Sequence, residues 1–257
     1  MSGTEARRQA ILDAIKEHKI VRVTELSKQF GVSQVSIRRD LVKLGGYGLL
    51  RRVHGGAVVA IEQQDHFYDE KQRLRLAEKQ RIGKAAVALI KPGERIILDS
   101  GTTVLEIARE LTHNPARWER LTVITASYPV LRDLSALRNL HLIVLGGMYL
   151  PDYQTLVGPH TLDALHDLHT DTLFLGADGL SFASGVTTAN VFEAEASRAM
   201  IRAAARVVVV ADSSKIDNVG FATIMPLTAA HTLITDTDAP QAFVSQLREQ
   251  GVQVILA

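Results

Sequence analysis

The sequence predicts an α/β protein in two parts: residues 1–60 fold as three short helices closed by a small hairpin, and residues 78–257 form a larger, mostly parallel α/β domain. Three observations predict this. Short helical patterns separated by a glycine turn fill the N-terminal stretch, whereas beyond Pro92 short Val/Ile/Leu runs alternate with helical patterns. The formal net charge of +1 also hides a division. Residues 1–60 hold 11 Lys and Arg against 5 Asp and Glu, and the remainder holds 18 against 23. A basic first part is suited to a polyanion such as nucleic acid, and the acidic remainder is not.

At 257 residues the chain can bury two cores. Its 46% hydrophobic and 22% charged content is ordinary for a globular protein. The absence of cysteine excludes disulfides and thiolate metal sites and suits the cytoplasm. The first twenty residues are too charged for a signal peptide, and no apolar run approaches the roughly 18 residues needed to span a membrane. A soluble, cytoplasmic protein is expected.

Thr4 or a neighbour opens a first helix in which Ile11, Leu12 and Ile15 recur at helical spacing. Thr24 is placed as the cap of a second helix, with Leu26 and Phe30 as its buried pair. Gly31 closes it, and Ser33 is the expected N-cap of a third helix with Ile37, Leu41 and Leu44 on its apolar side. That spacing leaves Gln34, Ser36, Arg38 and Arg39 outside. Two helices across a tight turn make a helix-turn-helix, whose second helix enters the DNA major groove. Gln34 and Ser36 are the candidate base readers, with the arginines on phosphates. Leu49–Val53 and Ala57–Ala60 read as strands joined by His54, Gly55 and Gly56, a wing that sets Arg51, Arg52 and His54 beside the backbone.

VSQVSIRRDL followed by RRVHGGA closely resembles the N-terminal domain of DeoR-type transcriptional repressors, marked by VS-x-x-TIRRDL and a hairpin ending R-x-HGGA. Ser36 replaces the usual threonine and keeps a hydroxyl. Gly45 and Gly46 stand where the family carries a charged helix end, and are expected to shorten or loosen the recognition helix. The resemblance implies double-stranded operator DNA as a partner.

From Ala60 to Leu76 the pattern turns polar, and an interdomain linker is placed at residues 61–77. A helix is expected from about Asp69 to Ile90, with Ile82, Ala86, Leu89 and Ile90 as its stripe and Pro92–Gly93 as its stop. The strand candidates that follow are Arg95–Leu98, Leu121–Thr125, His141–Leu145, Thr172–Leu175, Arg206–Ala211, His231–Thr235 and Val252–Leu256. Such runs suit buried strands of a parallel sheet covered by helices on both faces. Trp118 lies in a connection and is read as a packing residue.

Ligands of open α/β sheets sit at the carboxyl ends of strands, so the loops there are the candidate sites. Asp99, Ser100, Gly101, Thr102 and Thr103 lead from a strand into a helix. Gly101 allows close backbone approach, and hydroxyls with N–H groups at a helix N-terminus suit a phosphate. Neither a P-loop nor a dinucleotide fingerprint is present. LGGMY contributes Gly146 and Gly147, GADGLS contributes Asp178, and ADSSK contributes Lys215, the natural counter-charge for a phosphate on Thr102 and Thr103. Asp178 and Glu193 can accept hydrogen bonds from sugar hydroxyls, and GVTTAN adds amides and hydroxyls before the helix holding Glu193.

The segments DSGTT, LGG, LVGP, GADG and ADSSK stand in the order found in the C-terminal domain of the same DeoR-type repressors, so the resemblance covers essentially the whole chain. It implies a fold resembling ribose-5-phosphate isomerase, a sugar-phosphate effector with its phosphate on Gly101, Thr102, Thr103 and Lys215, and a homodimer or homotetramer. The alternative is a sugar-phosphate isomerase-like enzyme with an appended DNA-binding domain, with Asp178 or Glu193 as base. LGADGL has Gly179 where the isomerase has a further acid, and GVTTAN replaces its lysine segment, so a cation is expected to be missing and no catalysis is expected. No cofactor is expected. His160, His166 and His169 offer an i, i+3 pair on an expected helix but no third convergent ligand, so no metal site is expected either.

Overall fold

The computed structural model describes residues 3–257 apart from 19, 47–49, 54 and 60–61, and divides into two compact units, Met1–Asp69 and Glu70–Ala257. In the first, α1 (Gly3–His18), β1 (Ile20–Arg22), α2 (Val23–Phe30) and α3 (Gln34–Gly46) precede β2 (Leu50–Val53) and β3 (Gly56–Val59). Ile11 and Ile15 of α1 meet Leu26 of α2 and Ile37, Leu41 and Leu44 of α3 in one buried cluster. Each contributes roughly 1.5–3 kcal/mol relative to an exposed side chain. Gly31 closes α2 in the left-handed region at φ 62°, and the Ser33 hydroxyl accepts the Ser36 N–H at 3.2 Å to cap α3. Thr24 is not a cap. Helix α2 begins one residue before it, at Val23, because the chain enters directly from extended Arg22.

The short strand β1 has no sequence-level counterpart. It pairs with β3, giving an antiparallel sheet in the order β1-β3-β2. At Gly56 a Cβ would lie 2.1 Å from the Val21 carbonyl oxygen, so this close strand crossing requires glycine. Helix α3 runs through both Gly45 and Gly46. The expected shortening at these glycines does not occur before Gly46.

The polar stretch read as a linker contains α4 (Glu62–Arg73). Its Glu, Gln, Lys and Arg content is helix-favouring, and Tyr68 within it is buried. The single helix expected over Asp69–Ile90 is broken: α4 ends, Leu74 and Arg75 turn, and α5 runs Leu76–Ala88. Arg75 holds φ 51°, an uncommon conformation for a residue with a side chain. The expected stripe is buried at Ile82, Ala86 and Ile90.

Unit two continues through β4 (Arg95–Leu98), α6 (Thr102–Thr112), β5 (Thr122–Thr125), α7 (Tyr128–Leu134), β6 (His141–Val144), β7 (Met148–Leu150), β8 (Thr155–Val157) and α8 (Pro159–His166). Then follow β9 (Thr170–Leu175), β10 (Gly179–Ser181), β11 (Gly185–Thr188), α9 (Val191–Ala203), β12 (Ala204–Val210), β13 (Ala222–Met225), β14 (Thr232–Thr235), α10 (Gln241–Glu249) and β15 (Gln253–Leu256). The seven apolar runs are the seven strands of one sheet, in the order β15-β14-β12-β9-β4-β5-β6. Every neighbouring pair is parallel. Ile96–Leu98, Leu173–Leu175 and Val207–Val210 are buried without alternation, as expected when helices cover both faces. Trp118 is buried and donates Nε1–H to the Leu111 carbonyl at 3.0 Å, consistent with a packing role.

The strand order decides where a ligand can sit. From β4 the chain builds outward through β5 and β6 on one side, and through β9, β12, β14 and β15 on the other. The crevice at this switch point opens between the carboxyl ends of β4 and β9.

Candidate functional site

On α3 the side chains divide as the helical period requires. Ile37, Leu41 and Leu44 are buried, whereas Gln34, Arg38 and Arg39 are exposed. Ser36 is half-buried, and its hydroxyl lies 3.0 Å from that of Ser33. Asp40, which sequence reading passed over, is 1% exposed and accepts Arg7 Nε–H at 2.8 Å and Arg8 Nε–H at 2.7 Å. It ties α1 to the inward side of α3 while Arg38 and Arg39 keep their charges outward. Arg51 and Arg52 are on β2, with side chains outside the described residues, as is His54.

In unit two the loop after β4 meets the loop after β9. Asp99 N–H donates to the Phe174 carbonyl at 3.1 Å, and a Cβ on Gly176 would lie 2.8 Å from the Ser100 carbonyl oxygen. Gly101, at φ 108°, precedes α6, and no side chain caps the helix. Its first N–H groups and positive dipole end therefore face the crevice beside Thr102 and buried Thr103. This is the geometry that favours an anion.

Three carboxyl groups line the other side. Ser100 donates its hydroxyl to Glu193 Oε1 at 3.1 Å, and the Thr188 hydroxyl lies 3.0 Å from Glu193 Oε2 and 3.1 Å from Asp178 Oδ2. Asp178 Oδ2 also accepts the Ala189 N–H at 2.9 Å, and Asp178 Oδ1 accepts Lys71 Nζ at 2.8 Å. Ser197 reaches Asp99 at 3.4 Å. Burial pushes Asp99 up to about 7, against the pull of the Ser100 and Gly176 N–H groups. Burial, with Asp99 and Asp178 nearby, pushes Glu193 up to about 8. Asp178 stays below the ordinary carboxylate range, because Lys71 and its hydrogen bonds outweigh its burial. The cluster thus carries one firm negative charge, on Asp178, and two carboxyls poised near neutral pH.

Lys71 corrects the expectation that no cation stands at these carboxylates. It comes from α4, outside the strand-end loops. Its carbonyl accepts Lys79 Nζ, and Lys79 is 4% exposed. Burial lowers Lys79 to about 8, with Asp212 opposing and Lys215 adding to the fall. Arg75 reaches Asp238 at 2.9 Å, Asp236 at 3.3 Å, Glu78 at 3.3 Å and Asp212 at 3.5 Å. These carboxylates hold the left-handed Arg75 turn at the carboxyl ends of β12 and β14. Lys215 is half-buried in the turn after β12.

The structure therefore brings Asp99, Ser100, Gly101, Thr102 and Thr103 together with Asp178 and Glu193. Gly146 and Gly147 follow edge strand β6, two strands from β4 and roughly 10 Å away across the sheet. There Gly146 accepts the Thr161 hydroxyl at 2.7 Å, and a Cβ on Gly147 would meet that hydroxyl at 2.3 Å. GVTT is strand β11 rather than loop, and Asn190 Oδ1 caps α9 by accepting Phe192 N–H at 2.8 Å. Helix α8 ends at His166, so His169 lies beyond it and the two histidines share no helix. Sequence reading missed Lys71, Arg75, Lys79 and Asp40. Lys79 had a visible signal: it stands in register with the stripe at Ile82, Gly83 and Ala86, where a lysine must be buried.

Two family descriptions match the chain, the DeoR-like helix-turn-helix domain over residues 7–63 and the DeoR C terminal sensor domain over residues 74–237. The chain is similar to the putative aga operon transcriptional repressor of Escherichia coli O157:H7, at 35% identity over 100% of this chain and 95% of that protein. It is 32% identical to the HTH-type transcriptional repressor GlcR of Bacillus subtilis, over 98% and 96%. Among solved structures, ribose 5-phosphate isomerase A of Methanocaldococcus jannaschii has a TM-score of 0.40 at 21% identity, covering 54% of this chain and 53% of that one. Both units are matched by domains of one family, in that family's order, and full-length relatives exceed 30% identity: the chain belongs to the DeoR family of transcriptional repressors.

Proposed function

We propose that the protein is a cytoplasmic repressor of a carbohydrate-catabolism operon that leaves its operator when a phosphorylated sugar enters the crevice between β4 and β9. The observation that carries this reading is the uncapped N-terminus of α6 facing a cluster of hydrogen-bonded carboxyls. One side suits a phosphate and the other suits hydroxyls, so a sugar phosphate satisfies both. Gly101, Thr102, Thr103 and Lys215 take the phosphate, Ser100, Asp99, Asp178 and Glu193 the polyol. Gln34, Ser36, Arg38, Arg39, Arg51, Arg52 and His54 face the operator, with Ser33 fixing the start of the recognition helix.

Self-association fits the surface of unit two. Edge strand β6 exposes Ile143 and Val144 at 42% and 41%, and nearby Tyr128, Met148 and Tyr149 are at 47%, 51% and 45%. An open parallel edge flanked by apolar side chains suits a second copy. A dimer would address two half-sites one helical turn apart or multiples of it. In names, both relatives above are repressors, and the first is assigned to an operon.

The alternative is catalysis. Glu193, held near 8, is poised for proton transfer, and Lys71 places a cation within the cluster. The test is to incubate the purified protein with ribose 5-phosphate, fructose 6-phosphate and glucosamine 6-phosphate. Protection against thermal unfolding by a phosphorylated sugar but not its unphosphorylated parent, with no conversion of any substrate, supports the sensor. Turnover supports the enzyme, and protection by none refutes the sugar-phosphate reading.

A further inference from the structure

Lys71, in the C-terminal turn of α4, is engaged through both its side chain and its backbone. Its ammonium is on Asp178 Oδ1, and its backbone carbonyl accepts from Lys79 Nζ. Asp178 belongs to the loop after β9, and Lys79 lies within electrostatic reach of Lys215 after β12. A ligand reaching from the carboxyl cluster toward Lys215 would compete for Asp178 directly and act on Lys79 through its charge. Helix α4 runs from Glu62 to Arg73, and the boundary between the two compact units falls within it, after Asp69. The last turn of the helix that spans this boundary is thus tied to Asp178 of the candidate ligand crevice and to Lys79 of α5.

We propose that Lys71 is the coupling residue of this repressor: its pairing with Asp178 holds α4 in the operator-binding arrangement, and the effector releases it by taking over its partners. This rests on the sugar-phosphate reading above. Asp178 Oδ2 is already engaged by Ala189 N–H and the Thr188 hydroxyl, so a sugar hydroxyl seeking this carboxylate competes with Lys71 for Oδ1. A phosphate brings about −1.5 to −2 charges at neutral pH and draws the lysine ammoniums toward itself. Both effects weaken the hold on the same turn. The differential contact needed for a ligand to shift a two-state equilibrium is then built into the fold. Lys71 acts through α4 and is a positioning residue, distinct from groups that contact DNA.

The experiment compares Lys71→Met with Lys71→Arg in the full-length protein, measuring affinity for DNA from upstream of its own gene and affinity for the sugar phosphates named above. Coupling energies in such switches correspond to about 5–150-fold. Lys71→Met is expected to lose at least about five-fold in operator affinity and to gain in sugar-phosphate affinity, because it populates the released arrangement. Lys71→Arg, which preserves the charge on Asp178, is expected to behave as wild type. Operator affinity unchanged in Lys71→Met overturns the proposal, and so does a loss of both affinities, which is what a merely structural residue would show. If no sugar phosphate binds the wild type, the sugar-phosphate reading fails by itself, and the operator comparison of Met with Arg still decides the role of Lys71.

Discussion

Replacing Asp40 with alanine separates what holds α3 from what α3 presents. Asp40 is 1% exposed and accepts from Arg7 and Arg8, whose side chains are 18% and 24% exposed. Removing one partner of a fully buried pair costs about 3–5 kcal/mol. Both arginines can rehydrate here, which reduces the penalty. Alanine also improves helix propensity by roughly 0.5 kcal/mol. The expected net loss is about 2 kcal/mol. For a unit of this size, 1 kcal/mol shifts the midpoint by about 4–8 °C, so the N-terminal unit is expected to melt roughly 8–16 °C earlier. Scanning calorimetry of the full chain reads this as a shift of one transition while that of the larger unit stays in place. Arg39→Ala, by contrast, is expected to leave both transitions unmoved. An Asp40→Ala transition within about 2 °C of wild type would refute the assignment of Asp40 as the clamp between α1 and α3.

The remaining expectations follow from the same geometry. Arg38→Ala and Arg39→Ala should each weaken operator binding and lower the slope of log affinity against log salt by about one, with sugar-phosphate protection retained; an unchanged slope removes that residue from the interface. Gly101→Ala forces a side chain into φ 108° at the start of α6 and should abolish protection by sugar phosphates while operator binding survives, as read by thermal shift and fluorescence anisotropy. Asp99 and Glu193 are raised to about 7 and about 8, so the folded state retains protons that the unfolded state releases near pH 4. Their contribution is fully present below the unfolded values and is lost as pH rises through about 7 to 8. Glu193→Gln should therefore flatten the fall in urea midpoint between pH 5 and 9, and an undiminished fall would place the titration elsewhere. Val144→Lys puts a charge on the exposed edge of β6 and, if self-association uses that edge as proposed, is expected to sediment as a smaller species than wild type; an unchanged sedimentation coefficient contradicts the use of that edge.

The parts legible in the sequence are those with a local signal. The apolar faces of α1–α3 follow the helical period, and the Ser33 cap and Gly31 turn carry their own chemistry. The seven parallel strands were readable because strands buried on both faces cannot alternate, so their runs stand out. Strands β1, β7, β8, β10, β11 and β13 are short and acquire their identity from distant partners, as β1 does from β3. The elbow at Arg75 was illegible for the same reason. Nothing nearby requires φ 51°, and the carboxylates that hold it arrive from residues 212, 236 and 238. In the candidate site, DSGTT and the acids were visible because glycine, hydroxyls and carboxylates stand where strands end. Lys71 was not, because its partner Asp178 lies 107 residues away.

The most direct test of a coupled repressor is a reciprocal titration: operator affinity measured with and without saturating sugar phosphate, and sugar-phosphate affinity measured with and without saturating operator. Linkage requires the two ratios to be equal, and the expected value lies between about 5 and 150, with each ligand weakening the other. A ratio of one in both directions, with both ligands bound, would contradict the claim that the crevice between β4 and β9 controls the DNA-binding unit.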